Sequence, residues 1–426
     1  MLQPAEHARS YYAATARGMV DHPTLTGAET ADVVVVGGGF TGVSCALELA
    51  ERGFRVALLE ANRIGWGASG RNGGQLIDGF VETDKIRKRL GEHAARIAAQ
   101  MGLECRDIVV QRIERHGIEC DLKFGYLDVA MKSRELRDLC DDVAKKRADG
   151  YPHQIEIIPR ERLHEVIGSD RYVGGVMNQG NGHLHPLNLC LGEARVAAEA
   201  GVRFFERSPV RRIEPGAEVV VHTARGSVSA DFLVVACNAY LGGLIPRLSG
   251  TVIPAGSYVI ATEPLSGELA REILPKDSAV CDQRVALDYY RLSADRRLLF
   301  GGLCNYSGRA PGSIRGTLEP NMLKVFPQLA GTSIDYEWGG QIGISINRIP
   351  QLNRLGNNIY YAHGFSGHGL APTHMAGRVL AEAIAGQAER FDVFARIRHW
   401  RLPGGRWFAN PALAVGMLYH RLREIL

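Results

Sequence analysis

Residues 32–36 read DVVVV and run straight into Gly37-Gly38-Gly39-Phe40-Thr41-Gly42, after which Val43, Ala46, Leu47 and Ala50 fall on one helical face. A β-branched run, a glycine turn and a helix in that order predict the opening of a parallel, nucleotide-binding sheet. Gly37 allows the tight turn, Gly39 lets the backbone approach a pyrophosphate, and Gly42 lets the helix pack against the strand. The N–H groups at Phe40 and Thr41 then face the anion. Glycine turns occur in many loops, so the discriminating feature is an acid at the end of the next strand. Residues 55–59 (RVALL) read as that strand, and Glu60 closes it, with Ala61 in the same turn. There a carboxylate can accept both ribose hydroxyls of an adenosine.

A nicotinamide enzyme would continue with further strand and helix units. Here the chain enters Ile64-Gly65-Trp66-Gly67-Ala68-Ser69-Gly70-Arg71-Asn72-Gly73-Gly74-Gln75. Such a segment can run extended past a pyrophosphate and a flavin ring, offering backbone N–H donors, with Ser69, Arg71 and Asn72 adding polar contacts. A flexible surface loop is the competing reading, and adjacency to the nucleotide fold favours the flavin. A third piece, residues 231–239 (DFLVVACNA), reads as a strand ending in small residues after an alternating stretch over 210–228. In flavoproteins with two dinucleotide folds such a strand returns to the FAD sheet, and the segment at Pro209-Val210 contacts adenine. The fourth piece spans 358–369 and carries Gly364, Gly367, His368 and Gly369 before a helix over about 371–385. A helix N-terminus there would meet the negative charge that reduced flavin carries around N1 and the C2 carbonyl. His368 reads equally as a donor to the flavin or as a satisfied structural histidine.

Taken in order, these pieces resemble the D-amino-acid oxidase-like (DAO) family of FAD-dependent oxidoreductases, from one end of the chain to the other. Within that family the chain is most similar to bacterial gamma-glutamylputrescine oxidases. The resemblance lies in Ser10-Tyr11-Tyr12-Ala13-Ala14, the block from Gly67 to Gln75, Gly182-His183-Leu184-His185-Pro186-Leu187-Asn188, Leu287-Asp288-Tyr289-Tyr290-Arg291-Leu292 and Gly364-Phe365-Ser366-Gly367-His368-Gly369. It implies an FAD enzyme of polyamine catabolism that oxidises the C–N bond of a putrescine-derived amine to imine and aldehyde. Oxygen would leave as hydrogen peroxide. The alternative is an oxidase or dehydrogenase of a secondary or cyclic amino acid, of the pipecolate or sarcosine type, in which Arg291 or Arg348 would clamp a carboxylate bidentately. An FAD-binding sensing module without turnover is the non-enzymatic reading. Some sarcosine oxidases tether the flavin through a cysteine. No cysteine follows Cys304, and the region expected to bear the link reads Gly343-Ile344-Ser345-Ile346-Asn347, so FAD is expected to be non-covalent.

The implied fold class is α/β: a two-dinucleotide-binding, Rossmann-like FAD domain interleaved with an α+β substrate domain on an antiparallel sheet. The expected boundaries are 28–80, 155–243 and 340–395 for the FAD domain, 81–154 and 244–339 for the substrate domain, and 396–426 for a C-terminal helical tail. A helical pattern covers 82–115, with Ile97, Met101, Cys105 and Ile108 on one face, and strands are expected near 118–131 and over 252–304. Alternation sends two of Tyr289, Tyr290 and Arg291 to one face, where they either line the pocket or stabilise the sheet, and the family likeness favours the pocket. Trp338 is a similar candidate. No catalytic base is identified.

At 426 residues, 46% of them hydrophobic, the chain can build two cores. Its 50 basic and 46 acidic residues are scattered, which gives no nucleic-acid footprint. Eight widely spaced cysteines without a CxxC pair read as reduced thiols. His183 and His185 have HxH spacing, yet no carboxylate or thiol accompanies them and Pro186 follows, so a structural turn and no metal are expected. The first residues lack the apolar core of a secretory signal and no apolar run suits a spanning helix, so the cytoplasm is expected and membrane association is not. The apolar and basic residues 412–426 read as a packed terminal helix.

Overall fold

The computed structural model describes residues 5–284, 287–305 and 311–401. The expected tail beyond residue 401 lies outside them. The chain runs α1 (Tyr11–Ala14), β1 (Gly27–Val36), α2 (Phe40–Glu51), β2 (Val56–Leu59), β3 (Gln75–Leu76), α3 (Thr83–His116), β4 (Lys123–Ala130), α4 (Ser133–Ala148), β5 (Ile155–Pro159) and β6 (Gly174–His183). It continues through α5 (Pro186–Glu199), β7 (Arg203–Phe205), β8 (Arg212–Glu214), β9 (Val219–His222), β10 (Gly226–Val235), β11 (Val252–Thr262), α6 (Gly267–Ile273), β12 (Ala279–Asp282) and β13 (Tyr289–Leu292). It closes with β14 (Leu298–Asn305), α7 (Ile314–Val325), β15 (Ile334–Ser345), β16 (Gln351–Leu355), β17 (Ile359–His363), α8 (Leu370–Ile384) and α9 (Glu389–Ala395).

Two sheets organise these elements. The first has the order β16-β17-β10-β1-β2-β7, with β9 beside β10 and β8 beside β9. Its centre is parallel: β1 pairs with β2 and with β10, and β10 with β17. Both faces are covered, which explains why β1 is a continuous valine run rather than an alternating one. Val33 and Val35 enter the core shared with Val43 and Leu47 of α2 and Val379 and Leu380 of α8. Val34 and Val36 enter the opposite core, with Val219, Val221 and Leu233. Each buried valine contributes about 1.5–3 kcal/mol of transfer free energy.

The second sheet has the order β15-β11-β14-β13-β12-β4-β6-β3, with β5 on β6, and is antiparallel apart from the β12–β4 pair. One face carries Leu127, Val129, Tyr290 and Phe300 in a core closed by α7. The other face looks toward the first sheet. The 82–115 helical pattern corresponds to α3, which is broken at Gly91 (φ 85) and ends on the left-handed Gly117; Met101, Cys105 and Ile108 are buried on it.

Sheet membership departs from the expected boundaries in three places. β3 pairs with β6 in the second sheet, although 28–80 was expected on the FAD side. β6 pairs with β4 and with β5 in that sheet, although 155–243 was expected on the FAD side. β15 runs unbroken through residue 340 and pairs with β11 over its length. Alternation defines a strand but not the sheet it joins, so the sequence carried no mark of any of these transfers. Among the described residues no helix is long and apolar enough to cross a membrane, and the seven described cysteines are free thiols.

Candidate active site

β1 delivers Gly37 with φ 113, a conformation that a side chain disfavours, and a Cβ there would stand 2.7 Å from the carbonyl oxygen of Ala236. A Cβ on Gly42 would overlap the carbonyl oxygen of Gly37. The turn therefore closes only with glycine at both positions. At Gly39 a Cβ would meet Ser69 Oγ at 2.8 Å, and that hydroxyl accepts the Phe40 N–H at 2.9 Å. Ser69 thus caps the first turn of α2 from the loop that follows β2. Glu60 accepts N–H groups from Gly38 at 2.7 Å and Asn62 at 2.8 Å. Burial raises its carboxyl, and these two donors pull it back toward ionisation.

The glycine-dense loop is folded by its own polar residues. Asn72 Nδ2 donates to the carbonyls of Ala68 at 3.0 Å and Ser69 at 2.9 Å, and its Oδ1 accepts the Gly74 N–H at 2.8 Å. Arg71 donates to the carbonyls of Trp66 at 2.7 Å and Gly339 at 3.1 Å, and its guanidinium stacks 4.2 Å from the Trp66 ring centre. Gln75 Nε2 donates to the Val280 carbonyl at 2.9 Å, which ties the loop to the second sheet.

Between the sheets lies a cavity of about 840 Å³. At one end it is lined by Gly37, Gly39, Phe40, Thr41, Glu60, Ala61 and Val210; along its length by Gly67, Ala68, Ser69, Arg71, Asn72, Gly73 and Gln75; and against α8 by Gly367, His368 and Gly369. Gly42, Gly74 and Gly364 are not in the lining. Gly42 and Gly74 hold backbone crossings whose Cβ positions would overlap Gly37 and Leu184 carbonyls, and the Gly364 N–H donates to Asn238 Oδ1 at 3.0 Å. The residues fit FAD. The volume lies in the upper part of the roughly 300–1,000 Å³ spanned by ligand cavities. Two helix N-termini meet the cavity, glycines occupy the close approaches, and an acid ends β2, which together suit an extended dinucleotide with two phosphates.

The far end is lined by Tyr126, Ser257, Cys281, Leu287 and Tyr289. The Tyr289 ring is seated between two glycines: a Cβ on Gly73 would stand 2.5 Å from Cε2, and one on Gly301 would overlap the ring. Its hydroxyl stands 3.3 Å from Ser257 Oγ. His368 donates from Nε2 to the Gly79 carbonyl at 3.0 Å, leaving Nδ1 as acceptor in the neutral ring, and burial lowers its affinity for a second proton.

Three expected pocket residues are placed elsewhere. Tyr290 points to the opposite face of the second sheet, where it is fully buried, stacked on Phe300 at 5.3 Å and hydrogen-bonded to Tyr172 at 2.8 Å. Arg291 shares the face of Tyr289 but lies beneath the loop. It donates to the carbonyls of Gly73 at 2.8 Å, Leu184 at 2.8 Å and Leu292 at 3.0 Å, and to the Tyr12 hydroxyl at 3.1 Å. Trp338 packs edge-on against Tyr12 and donates to the Arg71 carbonyl at 2.9 Å. Of the HxH pair, His183 Nε2 donates to the Asp277 carbonyl at 2.8 Å, and His185 Nδ1 caps α5 by accepting the Asn188 N–H at 3.1 Å. Sequence reasoning gave no role to Tyr126, Ser257, Cys281, Asn238 and Tyr240, all of which line the cavity. A signal existed for Asn238. An asparagine just after a strand is a candidate for positive φ, and its φ is 43.

A cavity of this construction, between a parallel nucleotide sheet and an antiparallel one, defines a flavin-dependent oxidoreductase. The chain belongs to the DAO family, FAD dependent oxidoreductase, whose profile matches residues 32–383. It is an FAD-dependent enzyme. It is 46% identical to the gamma-glutamylputrescine oxidoreductase of Escherichia coli strain K12 over 99% of both chains. It is 42% identical to the probable oxidoreductase OrdL of Haemophilus influenzae over 98% of both. The fold is that of glycine oxidase from Geobacillus kaustophilus, with a TM-score of 0.74 at 22% identity, covering 87% of this chain and all of the other.

Proposed function

We propose that this enzyme oxidises a primary aliphatic amine whose other end carries a blocked, polar tail of the gamma-glutamylputrescine kind, with oxygen as acceptor and hydrogen peroxide as product. The observation that carries this reading is the end-to-end 46% identity to a relative named for gamma-glutamylputrescine. Arg291 favours neither this reading nor its alternative, because its donors are spent on the carbonyls of Gly73, Leu184 and Leu292 and on the Tyr12 hydroxyl.

When bound, FAD supplies the two-electron oxidation of the carbon next to nitrogen. The chain's part is to bind and orient. Gly37, Gly39, Phe40, Thr41, Glu60, Ala61, Val210 and the loop from Gly67 to Gln75 hold the cofactor. Tyr289, Ser257 and Tyr126 form the wall against which the reacting end of the amine is placed. A largely apolar pocket disfavours the ammonium form, so the chain selects the neutral amine that can release electrons. The long tail then contributes remote binding energy to that orientation. The first sheet with α2, α5 and α8 serves as the FAD-binding part and the second sheet as the substrate-binding part. Free thiols throughout the described chain favour a reducing compartment, the cytoplasm.

The second reading, oxidation of a secondary or cyclic amino acid, is favoured by Arg348, which lines the same cavity and could meet a carboxylate. A peroxide-coupled screen of gamma-glutamylputrescine, putrescine, sarcosine, glycine and pipecolate separates the two. The expected result is highest kcat/KM on gamma-glutamylputrescine, with putrescine much poorer. Pipecolate or sarcosine as the best substrate would establish the second reading, and flavin that stays bleached by the blocked amine in air would remove oxygen as acceptor.

A further inference from the structure

Behind the cavity, four helices share a network of charges that is buried at Glu48, Arg112, Glu193 and His374 and reaches solvent at Arg52 and Arg378. Arg112 of α3 donates to Glu193 of α5 at 3.0 Å, to Glu48 of α2 at 2.8 Å and to Ser44 Oγ at 2.8 Å. Glu48 also receives Arg378 of α8 at 2.8 Å and Arg52 at 2.6 Å. The last member is His374, fully buried in the first turns of α8. Its Nδ1 stands 2.6 Å from the Leu370 carbonyl and its Nε2 2.9 Å from a carboxylate oxygen of Glu193. A carbonyl and a carboxylate only accept, so both ring nitrogens carry protons and the ring is a cation. Burial alone would raise the Glu193 carboxyl, but His374 and Arg112 bring it below its ordinary range, so it faces the ring as an anion.

This cation is not remote from the site. Its ring packs on Phe40 at 4.9 Å between centres, and the residue before it is Thr373; Phe40 and Thr373 both line the cavity. The His374 carbonyl accepts from Ser44 Oγ at 3.1 Å, which fastens α8 to α2 just behind their N-termini. The N-termini of α2 and α8 and one fixed imidazolium therefore act on the stretch of cavity between those two helices, where the start of α8 is expected to meet the flavin N1 and C2 carbonyl. Positive potential of this kind favours an electron-rich occupant over its electron-poor form.

We propose that His374, held as a cation by Glu193, is an electrostatic positioning residue that sets the redox poise of the bound flavin. The inference rests on FAD as the cofactor and is independent of which amine is oxidised. A purely structural clamp would stabilise the helices without a preference for either oxidation state, and the two roles separate by charge.

The test measures the flavin midpoint potential by dye equilibration in holoenzyme carrying His374→Gln, Glu193→Gln or both. His374→Gln removes the cation and leaves Glu193 anionic beside Arg112. The reduced-to-oxidised ratio should fall on the order of tenfold, the scale of one unit charge in a partly buried setting, or about 30 mV downward for a two-electron couple. The double variant removes both charges and should return to within about threefold of the parent ratio, as expected for a coupled pair. Glu193→Gln alone should leave the ratio at or above the parent value. An unchanged potential in His374→Gln, or a double variant as low as that single one, overturns the proposal. Should His374→Gln fail to hold FAD, Glu193→Gln decides: a ratio at or above the parent value supports the proposal, and a tenfold fall overturns it.

Discussion

A Cβ on Gly42 would overlap the carbonyl oxygen of Gly37, so α2 is seated directly on the end of the strand that feeds it. Gly39 has room that Gly42 lacks, since its nearest neighbour is the rotatable Ser69 hydroxyl. Gly42→Ala should therefore lower the melting temperature of the apoprotein as well as its FAD content. Gly39→Val should leave the apoprotein fold nearly intact and empty the site. Absorbance at flavin and protein wavelengths, with thermal melts of the apoproteins, distinguishes them; full FAD occupancy in Gly39→Val would displace the cofactor from this turn.

Glu60 accepts an N–H at each of its carboxylate oxygens. Glu60→Gln puts an amide donor against one of those donors and removes the charge expected to meet the ribose. FAD affinity should fall by roughly 1–3 kcal/mol. Fluorimetric titration of apoprotein with FAD gives the value, and an unaltered Kd would exclude Glu60 from the ribose.

The sequence expectation made Arg291 a selector of carboxylate-bearing substrates. In the structure it satisfies three carbonyls and a tyrosine hydroxyl, so Arg291→Ala should cost about 2–4 kcal/mol of stability through orphaned acceptors. Its kcat/KM should fall in equal proportion on gamma-glutamylputrescine and putrescine. A selective loss on the blocked amine, in a variant of parental stability, would restore the recognition role.

Burial pushes the Glu48 carboxyl up, but Arg112 and Arg378 outweigh it and hold the group at about 2, against an ordinary 4.5. A carboxyl depressed on folding stabilises the protein above pH 4.5 and loses that contribution as pH falls toward 2. At neutral pH, Glu48→Gln should be less stable by on the order of 3 kcal/mol, in the range for breaking a buried pair. The gap between parent and variant should narrow as pH drops from 4.5 toward 2. Urea denaturation at several pH values measures it, and a constant gap would mean that Glu48 is not held ionised by its arginines.

Flavin should appear in the supernatant after acid precipitation, leaving a colourless pellet. Yellow colour retained on the protein would show a covalent link through a residue other than the absent cysteine.

The nucleotide half was legible because its physics is local. A β-branched run, three glycines and an acid each sit where one turn or one phosphate demands them, and all fall within residues 32–60. The substrate half was less so. Alternation on β13 correctly separates Tyr290 from Tyr289 and Arg291, but it does not say which face meets the cavity or that Gly73 and Gly74 would roof over Arg291 while leaving Tyr289 open. Asn72 was expected to add a polar contact to the cofactor, and its bonds to Ala68, Ser69 and Gly74 within the loop were not foreseen, because they depend on how the turn closes. Nor could the pattern foretell that β5 and β6 would join the second sheet, because that depends on partners far away in sequence.

The chain passes repeatedly between its two sheets: β1 and β2 lie in the first, β3 to β6 in the second, β7 to β10 in the first again, β11 to β15 in the second, and β16 and β17 back in the first. Neither sheet can be cut out as a continuous fragment. Calorimetry on this protein should accordingly record one endotherm rather than two, and the halves of a chain severed between β10 and β11 should be soluble only together. The same weaving means that the cavity walls lose their alignment at the moment the cores melt, so heat should release the flavin and unfold the chain in a single step.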